Sequence, residues 1–369
     1  MKILVTGGAG FIGSFLVDEL VRQKHSVVVL DNLEPQVHPD GQMPNYLNQR
    51  AKFIYGDVRK SSDIQKALVG VEVVFHLAAM VGVGQSQYQI KKYVEVNIGG
   101  TATLLDVLVN TKNKVKKLIV AGSMSSYGEG MYRCPKCGVV KGEMRPEENL
   151  KKKIWECICQ CGRTLVPVPT PETAEQKCYS IYALSKKVQE EMALVIGRTY
   201  SLPTTVLRFF NVYGPRQSLS NPYTGVAAIF MSRIKNDNPP VIFEDGLQTR
   251  DFVYVTDVVR ALILAMKKKA ADYQVFNVGS GQPLTIKEIA RTIAGLYGKD
   301  IQPVITEKYR KGDIRHCYAD ISKIKRQLGF SCETNFREGM RKLIAWAKTV
   351  KARDDYEKAH AELKKYGLA

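Results

Sequence analysis

The chain has 369 residues, 45% hydrophobic and 24% charged, as expected of a globular protein with one large domain or two closely integrated ones. The first residues run directly into an apolar strand and no apolar stretch is long enough to cross a bilayer, so the expectation is a cytoplasmic protein without signal peptide or membrane span. Lys plus Arg number 54 against 36 Asp plus Glu, a formal charge of +18. The excess is spread along the chain, as in Lys151-Lys152-Lys153 and Lys267-Lys268-Lys269. No basic run interleaves with aromatic residues, so the charge reads as a solvated surface that also attracts a polyanionic substrate, with nucleic-acid binding as a minor alternative.

Lys2 to Thr6 is a short apolar run that predicts a buried strand, and Ser14 to Arg22 has helical apolar spacing. Between them stands Gly7-Gly8-Ala9-Gly10-Phe11-Ile12-Gly13. Such glycines let the backbone turn tightly and approach a pyrophosphate, which rests on the helix N-terminus. Ser26 to Leu30 predicts a second strand ending at Asp31, followed by Asn32. An acid about twenty residues beyond the glycines is placed to bind a ribose hydroxyl, which favours NAD over NADP. A glycine loop alone could be a surface turn; strand, loop, helix, strand and acid in that order could not.

Lys52 to Tyr55 predicts a third strand, then Asp57-Val58, where an acid can accept from the adenine amino group or cap a helix. Val71 to Phe75 predicts a strand running into His76-Leu77-Ala78-Ala79, whose small residues permit close approach to the cofactor; His76 reads as structural. Tyr93 to Val109 looks helical and carries Asn97, and Lys117 to Ala121 predicts a strand ending at Gly122-Ser123. This alternation is that of a doubly wound α/β sheet. Later come a strand at Thr205 to Leu207, a helix at Thr285 to Tyr297, and one charged amphipathic helix from Ala345 to Tyr366.

Tyr182 and Lys186 lie four apart in a helical stretch and share a face. A free phenol loses its proton near pH 10, and a fixed neighbouring cation favours the phenolate. The pair therefore predicts a proton acceptor usable near neutral pH, as hydride chemistry at a sugar or alcohol carbon requires.

Cys134-Pro135-Lys136-Cys137-Gly138 has the form of a zinc knuckle. Its partner lies in Cys157-Ile158-Cys159-Gln160-Cys161-Gly162, where Cys159-Cys161 is one residue short and Cys157-Cys161 one residue long. A structural four-thiolate zinc site from Cys134, Cys137, Cys159 and Cys161 is favoured, with Cys157 able to replace Cys159. The alternative is a loop of reduced cysteines without metal. Cys178, Cys317 and Cys332 read as packed thiols.

With these motifs the chain resembles the extended short-chain dehydrogenase/reductase family in its nucleotide-sugar epimerase/dehydratase branch. The matching stretches are Gly7 to Gly13, Asp57-Val58, His76 to Ala79, Ser123 to Gly128, Tyr182 to Lys186, Arg208 to Gln217 and Arg250 to Asp257. They span all of the chain except an insertion between about Met131 and Pro171. The resemblance implies a Rossmann-type NAD-binding domain over 1–205, a nucleotide-sugar-binding part over 206–345 with segments returning to the sheet, and a charged tail over 346–369. It further implies a homodimer formed through helices around Thr101 to Val109 and Tyr182 to Arg198.

The resemblance also implies roles. Ser123, with Ser125 as the lesser choice, bonds the reacting hydroxyl; Tyr182 is the base; Lys186 holds the nicotinamide ribose and lowers the Tyr182 pKa. NAD contacts fall at Gly7, Gly10, Phe11, Ile12, Gly13, Asp31, Asn32, Asp57, Val58, Leu77, Ala78, Ala79, Asn97 and Phe209. The nucleotide sugar meets Asn211, Ile242, Phe243, Arg250 and Arg310, the two arginines clamping its diphosphate. Dehydratases of this family carry Asp-Glu after the Ser/Thr, where this chain has Met124 and Ser125. That leaves reversible oxidation at the sugar C4, hence 4-epimerisation, with a nucleotide-sugar dehydrogenase, reductase or decarboxylase as the alternative. An NAD-sensing regulator would have no reason to keep Ser123, Tyr182 and Lys186 together. The inserted loops resemble those of dTDP-L-rhamnose 4-epimerases, with UDP-glucose or UDP-glucuronate 4-epimerases next. The insertion, lying between Ser123 and Tyr182, is expected to act as a lid shaping the sugar pocket.

Overall fold

The structure, a computed structural model, describes residues 1–223 and 225–368. Seven parallel strands form the main sheet. Across it the order is Gln274–Val278, Thr204–Phe209, Lys117–Ser123, Val73–His76, Lys2–Thr6, Ser26–Asp31, Lys52–Tyr55. The first strand is central, paired with Ser26–Asp31 on one side and Val73–His76 on the other. The sequence order therefore reverses beside it, opening the crevice where doubly wound sheets bind their ligands. The strands are short and β-branched-rich, and those at the centre are buried on both faces, as parallel strands covered by helices must be.

One covering layer packs Leu16, Val17 and Leu20 of helix Phe11–Arg22 with Val258, Leu262 and Ala265 of helix Val255–Lys267. The other packs Ile64, Leu104, Leu105 and Ala193 on the opposite face. A second core lies under the substrate half, where Phe230, Ile234, Ile289, Ile293 and Leu343 join three helices.

Three expectations need correction. A boundary at 205/206 would cut the strand Thr204–Phe209, which pairs along its length with Lys117–Ser123, so the crossing point follows Phe209. The helix expected from Tyr93 to Val109 contains a π turn, Val94–Gly99, which carries Asn97, before it continues as Gly100–Asn110. The expected single tail helix is two, Phe336–Thr349 and Tyr356–Lys365. Lys235 Nζ bonds the carbonyls of Ala347 and Val350, and Asn238 Nδ2 donates to Asp354 Oδ2 at 2.8 Å. Those side chains satisfy the groups at the break and turn the chain back across the molecule.

The insertion is a three-stranded antiparallel sheet of Met131–Cys134, Gly138–Lys141 and Val166–Val168 with a Cys-rich loop beside it. No helix among the described residues is long and apolar enough to cross a membrane.

Candidate active site

A cavity of about 630 Å³ follows the crevice from the glycine loop into the substrate half. At its cofactor end the backbone itself is the binding surface. A Cβ at Gly13 would lie 2.2 Å from the Gly7 carbonyl oxygen, and Gly7 (φ +69°) would bring one 2.8 Å from the Ala78 amide nitrogen. Nothing larger than glycine fits, and the helix Phe11–Arg22 opens its free amides toward the cavity. Asp31 stands at the strand end, 9% exposed, its two carboxylate oxygens accepting from Ala9 N at 3.0 Å and Leu33 N at 2.9 Å. These groups fit a dinucleotide: close backbone approach for a pyrophosphate, helix amides for its charge, and a fixed carboxylate for a ribose.

Gly10, Phe11, Ile12, Asn32, Asp57, Val58, Leu77, Ala78, Ala79 and Phe209 also line the cavity. Burial raises the Asp57 carboxyl, but bonds from Arg59 and Asn32 outweigh it and bring it to about 2. Asn97 does not line the cavity. It is fully buried, accepts from Met80 N at 2.8 Å and donates to Met80 O and Ser185 Oγ, so it holds the Leu77–Met80 wall in place from behind. His76 bridges Thr6 and Thr101 in the core, and burial, with the Lys186 charge adding to it, pulls its pKa to about 3; it is the structural histidine expected.

Ser123 ends a central strand and Tyr182 and Lys186 open the helix Ile181–Thr199, whose N-cap Ser180 accepts from Ala183 N at 3.1 Å. All three face the cavity. Ser123 Oγ lies 2.8 Å from Ser125 Oγ and accepts from Ser125 N at 3.2 Å. The electrostatics differ from the expectation of a phenol already lowered by its lysine. Burial raises the Tyr182 pKa, opposed only by a hydrogen bond with Ser123. Burial also lowers Lys186 to about 7, with Glu190 opposing, while its Nζ donates to Gln189 Oε1 at 2.5 Å. Both side chains line one cavity from one helix, and burial there penalises both charges.

On the substrate side Asn211, Ile242, Phe243, Arg250 and Arg310 line the same cavity. Asn211 Oδ1 is buried with no partner. Arg310 stacks on Phe243, 4.7 Å from the ring centre, and donates Nε–H to Asp313 at 2.8 Å. Arg250 donates to the carbonyls of Thr249, Ile314 and Arg315 at 2.7–3.0 Å. One of them, that of Arg315, belongs to an ion network that sequence reasoning missed. Arg145 from the insertion clamps Glu244 through two bonds of 2.8 and 2.9 Å, and Arg315, fully buried, bonds Glu244, Asp245 and Glu156. Burial raises Glu156, but His316 and Arg315 more than offset it, bringing its carboxyl to about 2.

None of the described residues lining the cavity comes from the insertion, contrary to the lid expectation. It packs behind the loop Arg310–Asp313 across a smaller cavity of about 180 Å³. Its four sulfurs of Cys134, Cys137, Cys159 and Cys161 lie within 4.8 Å of one another. Cys157 points elsewhere, its Sγ donating to the Tyr132 hydroxyl at 3.4 Å, so Cys159 and Cys161 form the second pair.

Also unforeseen were the lip Met80-Val81-Gly82-Val83-Gly84 and the C-terminal residues Tyr356, Leu363 and Leu368, all at the cavity. Only the glycine alternation at Gly82 and Gly84 marked the lip in sequence.

Residues 3–149 match the model of the NAD dependent epimerase/dehydratase family, and residues 162–343 that of GDP-mannose 4,6 dehydratase. A dTDP-L-rhamnose 4-epimerase of Burkholderia thailandensis is 34% identical over 94% of each chain. A UDP-glucose 4-epimerase of Thermotoga maritima, solved with UDP-glucose, superposes with a TM-score of 0.79 at 33% identity, covering 95% of this chain and 99% of its own. A UDP-glucuronic acid 4-epimerase of Bacillus cereus, solved with UDP-glucuronic acid and NAD, gives 0.75 at 29% identity, covering 95% and 100%.

Proposed function

Because the chain belongs to the NAD-dependent epimerase/dehydratase family, we propose that it inverts C4 of a nucleotide-diphosphate sugar through a 4-keto sugar retained in the cleft. The observation that carries this reading is the meeting of Ser123 and Tyr182 on one wall beside the dinucleotide cradle. Bound in that cradle, NAD would take a hydride from C4 and return it.

Ser123 Oγ would bond the C4 oxygen, and Tyr182 Oη would accept its proton and later give it back. Lys186, once protonated beside the phenol, would favour the phenolate. Arg250 and Arg310 would hold the diphosphate while the sugar turns its other face. Among the described lining residues no carboxylate stands beside Ser123. Asp31 and Asp57 are at the cofactor end, Glu34 is paired with Lys92, Glu244 is clamped by Arg145, and Asp313 by Arg310. That supports epimerisation over loss of water, which needs an acid and a base at the neighbouring carbon.

For the substrate we propose dTDP-L-rhamnose, on the 34% relative and the inserted loops; the 33% neighbour solved with UDP-glucose favours a UDP-hexose as second reading. Incubation with dTDP- and UDP-sugars should yield C4 epimers without net reduction of NAD. Stoichiometric 4-keto product with added NAD would instead make it a dehydrogenase.

The four convergent sulfurs support a structural zinc, because four thiolates at tetrahedral reach close the metal's coordination. Such thiols serve as ligands only while reduced, which supports a cytoplasmic setting. A homodimer through the helices Gly100–Asn110 and Ile181–Thr199 is supported by exposed Leu184 and Val195 on the latter and Val94 beside the former.

A further inference from the structure

We propose that the C-terminal helix Tyr356–Lys365 is a wall of the substrate site that selects the sugar at C6, favouring a methyl group over a carboxylate; this rests on the nucleotide-sugar reading above. The helix lies across the cleft and is fastened to both sides. Tyr88, on the dinucleotide side, has its hydroxyl 3.0 Å from Glu362 Oε2 and 2.8 Å from the hydroxyl of Tyr223, which lies on the substrate side and also bonds Glu362. One carboxylate thus ties the two lips together. Tyr366 stacks on Tyr88 at 4.4 Å, and His360 packs on Phe243 at 6.0 Å while stacking on Tyr356.

Fastened in this way, the helix turns Leu363 into the cavity. A Cβ at Gly84 would lie 3.0 Å from Leu363 Cδ2, so the leucine rests directly on the lip. The lip in turn reaches the catalytic helix: Ser86 Oγ accepts from Tyr182 N at 3.0 Å. Leu363 therefore covers the end of the cavity where the reacting sugar must sit. Met80, Val81, Val83, Leu363 and Leu368 make that wall mainly apolar, and the Tyr223 hydroxyl beside it is already bonded to Tyr88 and Glu362. The cavity's cationic side chains are engaged by other groups: Lys186 by Gln189, Arg250 by backbone carbonyls, Lys311 by Glu147, and Arg310 by Asp313 while it stacks on Phe243 near the start of the helix. A methyl gains by contact with this wall, whereas a carboxylate would lose water without meeting a partner.

The test uses the full chain and nucleotide sugars that differ only at C6, bearing methyl, hydroxymethyl or carboxylate. Dissociation constants from calorimetry and kcat/KM are measured for the native chain, Leu363→Arg, Leu363→Ala and Glu362→Gln, with NAD retention as the check on folding. The native chain is expected to prefer methyl over carboxylate by at least tenfold. Leu363→Arg should shift that ratio at least tenfold toward the carboxylate, and Leu363→Ala should erode it severalfold. Glu362→Gln should raise KM for all three sugars and speed amide exchange across 356–365. A native chain without the preference, or a ratio that neither Leu363 variant moves while NAD stays bound, would overturn the inference. Should Leu363→Arg lose NAD, the alanine variant decides. If the sugars bind in the expected order but none is epimerised, the function reading fails and the wall stands.

Discussion

The two sides of the cleft are held by different physics. On the cofactor side, backbone does the work: Gly13 packs its Cα where a Cβ would be 2.2 Å from a carbonyl oxygen, and buried strands fix the rest. On the substrate side, charge does it: Arg145, Glu244, Arg315, Asp245 and Glu156 form a largely buried network, and the Arg315 carbonyl accepts from Arg250. A steric site tolerates no added atom, and an ionic one tolerates no missing partner. Perturbing each side should therefore leave the other recognisably intact.

The seam between them should show the largest effect. Tyr182→Phe removes the proton acceptor common to both halves, and kcat is expected to fall by about 10²–10⁴-fold with NAD still bound. A kcat within a few-fold of native would remove Tyr182 from the chemistry. Next, Arg145→Ala leaves buried Glu244 with Arg315 as its one remaining cation, which should cost roughly 1–3 kcal/mol in denaturant unfolding and raise KM for the sugar nucleotide. If NAD retention falls as steeply as sugar binding, the halves are not separable. Gly13→Ala should do the converse, weakening NAD by about ten- to hundredfold through about 1–3 kcal/mol of overpacking. Sugar-nucleotide binding measured by calorimetry should survive it.

Acid should also reach the halves in different windows. His76, on the cofactor side, has a folded pKa of about 3 against an ordinary 6.5. Below pH 6.5 only the unfolded chain takes up that proton, so stability falls by about 1.4 kcal/mol per pH unit until about pH 3. Glu156, on the substrate side, is held near 2 against 4.5, so its contribution is lost only as pH drops from 4.5 toward 2. Amide exchange resolved by segment should show the cofactor side loosening first. The smallest effect is expected from the metal: one zinc per chain by elemental analysis, lost in Cys137→Ser with NAD retention unchanged. A native chain purified under reducing conditions without metal would contradict the zinc assignment.

The same contrast explains what could be read from sequence. Steric sites leave local signatures, so the glycine loop, Asp31, and the short strands at Lys2–Thr6 and Lys52–Tyr55 were legible from spacing and period. That Tyr182 and Lys186 share one helix was legible too, from their four-residue spacing. The electrostatics of the pair were not, because they depend on how dry the wall is, and burial reverses the expected shift. The ion network left no signature at all: Arg145 and Glu244 are 99 residues apart and Glu156 and Arg315 159, with no period linking them. Asn97 was found but read as a cofactor contact, whereas its amide braces Met80. The tail failed for a similar reason, its continuous helical pattern being broken by long-range bonds from Lys235 and Asn238.

The most direct test of a retained 4-keto sugar on the Ser123–Tyr182 wall uses a nucleotide sugar carrying deuterium at C4. Turnover by the native chain should give the C4 epimer with the deuterium still at C4 and no net reduced NAD, and Tyr182→Phe should form that epimer about 10²–10⁴-fold more slowly. Washout of the label into solvent, or reduced NAD accumulating in step with a 4-keto sugar, would contradict it.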